Sequence, residues 1–62
     1  MNEEKIAHLI QLLEIEKKIL DELEVTKAAV NTAAFDKSYE GMRKTLTRRI
    51  EELEGEIKEL KQ

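Results

Sequence analysis

The sequence predicts an all-α fold: an antiparallel hairpin of two long helices that assembles into a homo-oligomeric, coiled-coil-like bundle. Three observations carry this. Apolar residues recur at helical spacing in both halves of the chain. Proline is absent and the only glycines are Gly41 and Gly55, so Glu, Lys, Leu, Ile and Ala set the local preference. Between the halves, Val25, Thr26, Val30, Asn31 and Thr32 lower helix propensity through β-branched and amide side chains.

The first helix is expected over about residues 3–31, with Asn2 as N-cap and Glu3 and Glu4 in the first turn, where the helix dipole favours acid. Leu9, Leu13, Leu20 and Leu23, with Ile6, Ile10 and Val30, mark one face. Leu12, Ile15 and Ile19 widen that face onto an adjacent flank. A face this broad exceeds what one neighbouring helix covers and points to a bundle of three or four helices. Glu16 and Lys17 interrupt it near the middle, where a polar pair can set register.

A bend is expected at about residues 32–36, with Asp36 as N-cap of the second helix, Phe35 as a hydrophobic staple before it, and Glu40 paired with Lys44 beyond. Neither proline nor glycine marks this bend. The alternatives are one continuous helix of about 90 Å, or a later hinge at Gly41. The hairpin covers Phe35 and the first-helix face within one small particle.

The second helix is expected over about residues 37–61. Leu46, Leu53 and Leu60 recur every seven residues, with Ile50 and Ile57 between them. That places isoleucine at a and leucine at d, a choice that favours two strands in a parallel coiled coil. Glu54 and Lys58 form an i,i+4 pair, and Gly55 falls on the outermost position, where it costs about 1 kcal/mol relative to alanine. The full oligomer seam is Leu9, Leu13, Leu20, Leu23, Leu46, Ile50, Leu53, Ile57 and Leu60.

Size favours helix packing and oligomerisation together. Sixty-two residues form a single domain, which buries only about 60% of the surface its unfolded chain exposes. With no cysteine and one histidine, His8, neither a disulfide nor an ordinary zinc site can staple the chain. No metal and no cofactor is expected. The run Glu51, Glu52, Glu54, Glu56 and Glu59 reads as a solvated helix face. Catalysis is not expected either, because His8 has no nucleophile near it in sequence and Ser38 has no evident base. No run approaches the ~18 apolar residues of a membrane span, and the acidic start is unlike a secretory signal. A cytoplasmic location is the expectation.

Charge is unevenly distributed. Residues 1–25 hold three lysines against seven acids (−4), residues 26–49 six bases against two acids (+4), and residues 50–62 two lysines against five acids (−3). The basic middle either pairs with acidic segments of its own or a neighbouring chain, or attracts an anion. Nucleic acid is disfavoured, because the basic block is short and flanked by acid.

Within that block Tyr39, Arg43 and Thr47 form an i, i+4, i+8 row beside the upper end of the leucine seam. Two readings follow. Arg43 pairs with an acid of another helix and sets register. Or Lys37, Tyr39, Arg43, Lys44, Thr47 and Arg48, completed by Asn31 and Thr32, line a pocket for a phosphate-bearing small molecule between subunits. Three functions are therefore expected in turn: a non-enzymatic oligomeric adaptor or inhibitor of a partner protein, a ligand-sequestering oligomer, and a purely structural oligomerisation module.

Overall fold

The computed structural model describes residues 2–62. It is an all-helical hairpin of α1 (Asn2–Ala29) and α2 (Ala33–Lys61), packed against each other along their length. The helices run antiparallel. Lys27 meets Asp36, Glu24 meets Arg43 and Glu16 meets Arg49, so descending α1 ascends α2. The long axis is 47 Å.

The seam follows a three-four alternation on both helices. On α1 the inward positions are Ile6, Leu9, Leu13, Glu16, Leu20, Leu23 and Lys27. On α2 they are Tyr39, Leu46, Ile50, Leu53, Ile57 and Leu60. Leu9, Tyr39, Leu46 and Ile57 are buried, and the others are half-buried. The leucine-isoleucine ladder of α2 therefore packs on α1 of its own chain, antiparallel, rather than on a parallel copy of itself. Glu16 and Lys27 are the polar members of the seam, both placed where a long side chain can run outward to a charged partner.

The turn is tighter and earlier than expected. It spans residues 30–32, not 32–36, and Gly41 lies inside α2 rather than at a hinge. Thr32, not Asp36, is the N-cap: its backbone is extended (φ −119°, ψ 150°) and its Oγ1 accepts the Phe35 N–H at 3.1 Å. The reason is local. Ala33 and Ala34 are the best helix formers available, so the helix starts as soon as a capping hydroxyl precedes them. Phe35 and Asp36 then fall in the first turn. Phe35 sets its ring 6.4 Å from that of Tyr39 instead of stapling the helix from outside. Thr26, for all its weak propensity, stays helical with its hydroxyl bonded to the Glu22 carbonyl at 2.8 Å. At the other end Asn2 is already helical.

Candidate functional site

The hairpin has two unlike flanks, and two of the predicted site residues, Tyr39 and Arg43, meet on one of them. Here Glu24 of α1 is a hub. Tyr39 Oη donates to its carboxylate, 2.8 Å from Oε1 and 2.9 Å from Oε2, and Arg43 Nε lies 3.7 Å from Oε1. One turn nearer the bend, Lys27 Nζ sits 2.6 Å from Asp36 Oδ1 and 5.7 Å from the centre of the Tyr39 ring. The buried phenol thus has its hydroxyl satisfied and a cation beside its face. Arg43 thus has an acid of the other helix as partner.

The remaining predicted residues scatter. Thr32 spends its hydroxyl on the α2 cap, and Asn31 is exposed in the turn. Thr47 is half-buried, Lys37 and Lys44 are exposed, and Arg48 pairs loosely with Glu52 at 3.9 Å. The structure brings Tyr39 and Arg43 together around Glu24, but does not gather the eight residues about one cavity. Grooves open on the hairpin surface, and none of the eight lines the three described below. Glu24 was not singled out by the sequence. Its signal is positional, since a turn near residue 31 sets it across from Tyr39 and Arg43.

Two titrations are displaced by this cluster. The hydrogen bond to the Glu24 carboxylate raises Tyr39 above its ordinary 10.0, and that to Asp36 raises Lys27 above 10.5. Both groups hold their protons more tightly folded than unfolded. The stability they lend is complete below those ordinary values and is lost as pH rises through the raised ones. The melting temperature is therefore expected to hold to about pH 9.5 and fall beyond it, with a shallower fall in Tyr39→Phe. Thermal unfolding across alkaline pH checks this. A melting temperature that rises through the window would contradict it.

The opposite flank is apolar and open. Leu12, Ile15 and Ile19 of α1 and Met42 of α2 remain 38%, 54%, 44% and 42% exposed. The largest of the three grooves, about 460 Å³, runs between Ile19 and Thr26 on one wall and Met42, Thr45 and Arg49 on the other. The second continues past Leu12 to Glu52 and Glu56, and the third ends at Lys5 and Glu59. All three lie in line on one side. Glu16 projects into the middle one, its Oε1 3.9 Å from Arg49 Nη1 and its Oε2 shut from solvent without a hydrogen-bond partner. These residues are the broad flank that the first helix announced in sequence.

Among the described residues no helix is long and apolar enough to cross a membrane. Comparison with protein-family models, with curated proteins and with solved structures finds no match.

Proposed function

We propose that this protein works by binding and not by catalysis, as a homo-oligomer of helical hairpins that acts as an adaptor or inhibitor of a partner protein. The observation that carries the reading is the open flank of Leu12, Ile15, Ile19 and Met42. A hairpin that, among the described residues, fully buries only four side chains leaves a comparable apolar stripe in water, and association is the usual remedy for so small a core. Association through that flank leaves the outer face of α2 free. Lys37 and Lys44, seven residues apart and exposed, stand there with Arg48. Among the described residues neither lysine has an ion-pair partner. That face suits an acidic protein surface.

Light scattering tests the first half. A mass above one chain, with a melting temperature that rises with concentration, is expected. A single-chain mass at every concentration would sink the reading. If phosphate compounds raised the melting temperature of the wild type but not of Arg43→Ala, sequestration would replace the adaptor role.

A further inference from the structure

The open flank is self-complementary about one point, and both helices share that point. On α1 the outward row reads Lys5, His8, Leu12, Ile15, Ile19, Glu22, with the alternating three-four spacing of a second seam. Its lower end is basic, its centre apolar and its upper end acidic. A copy of α1 laid antiparallel across Ile15 would set Leu12 beside Ile19 of the partner subunit and His8 beside the partner subunit's Glu22. A parallel copy would instead set like against like, Glu22 on Glu22 and Lys5 on Lys5, which costs stability.

α2 gives the same centre independently. Its outward row on this flank reads Met42, Thr45, Arg49, Glu52, Glu56, Glu59. Here the sign changes between Arg49 and Glu52. An antiparallel copy centred between them sets each Arg49 against a Glu52. The cross-helix pair of Glu16 with Arg49, and the groove that Leu12 and Glu16 share with Arg49 and Glu52, put this point near the level of Ile15 of α1. One two-fold axis, lying in the interface and perpendicular to the helix axes, therefore pairs the central members of both rows at once, as an isologous interface requires.

We infer that the occupant of the groove is a second copy of this chain, related by a two-fold axis at Ile15 and Arg49/Glu52. The product is an antiparallel four-helix dimer with the two turns at opposite ends. This rests on the oligomer reading above and goes beyond it by fixing symmetry, orientation and centre.

The chain has no cysteine, so single cysteines read the geometry directly. Residues on the axis meet their own copies. Leu12 lies three residues away from Ile15, which displaces its two copies along the bundle by about 9 Å, and a disulfide needs Cα atoms within about 7 Å. Under mild oxidation Ile15→Cys is expected to cross-link on the order of tenfold faster than Leu12→Cys or Ile19→Cys alone. Leu12→Cys and Ile19→Cys chains, mixed unfolded and refolded together, are expected to cross-link to each other. Val25→Cys, on an exposed position outside the seam, sets the background rate. Light scattering on the reduced samples separates the outcomes. An oligomer in which Leu12→Cys links to itself as fast as Ile15→Cys overturns the antiparallel dimer and leaves the oligomer standing. So does an oligomer in which Ile15→Cys stays at background. A monomer overturns both.

Discussion

Leu46→Ala is expected to lower stability by about 2–4 kcal/mol, the usual loss for a buried leucine truncated in a core that cannot fully collapse. Leu46 is 7% exposed and sits at the middle of the α2 seam. A chain of this length has roughly 3–9 kcal/mol of stability in all. The variant should therefore melt about 10–30 °C lower, and at the low end of the range it is mostly unfolded at room temperature. Chemical denaturation with circular dichroism measures this. Leu12→Ala, on the open flank, is the informative comparison. Its loss should appear in the concentration dependence of melting, because the hairpin itself leaves Leu12 38% exposed and the proposed dimer would cover it. Equal, concentration-independent losses at both positions would mean that the helices face each other differently.

Tyr39→Ala is the second large effect, with an expected loss of about 3 kcal/mol. It empties the buried end of the seam nearest the turn and removes the surface on which Phe35 and Lys27 rest. Tyr39→Phe keeps the ring and removes only the hydrogen bond to Glu24, for about 1 kcal/mol. The two variants separate ring from hydroxyl. A double-mutant cycle of Tyr39→Phe with Glu24→Leu should return a coupling of about 1 kcal/mol, since the groups are in direct contact. If Tyr39→Ala costs no more than Tyr39→Phe, the ring does not belong to the core.

The heptad rows were legible because period and hydrophobicity agree along both helices. Leu9, Leu13, Leu20 and Leu23 of α1 and Leu46 to Leu60 of α2, expected as an oligomer seam, form the seam inside one hairpin. Leu12, Ile15 and Ile19 were legible as a surplus, and the structure leaves them exposed. The turn was misplaced because two residues, Thr32 and Asp36, are both competent caps. The choice between them was decided by the two alanines that follow the first. Asp36 finds its role across the turn on Lys27 instead, a pairing that exists only once the hairpin has closed. For the same reason Glu24 was invisible as a hub. It is one of seven acids in the first 25 residues, and only the position of the turn distinguishes it. Of the row Tyr39, Arg43, Thr47, the first is buried in the seam and Arg43 is exposed; spacing along one helix says nothing of which charge stands opposite.

Small-angle X-ray scattering of the wild type tests hairpin and dimer in one measurement. Two hairpins centred on the same level overlap almost fully, so the particle should have the mass of two chains and a maximum dimension close to the 47 Å of one hairpin plus its side chains. A particle of about 90 Å would mean one continuous helix. The mass of a single chain at every concentration would mean that the open flank of Leu12, Ile15 and Ile19 is not covered by a second copy.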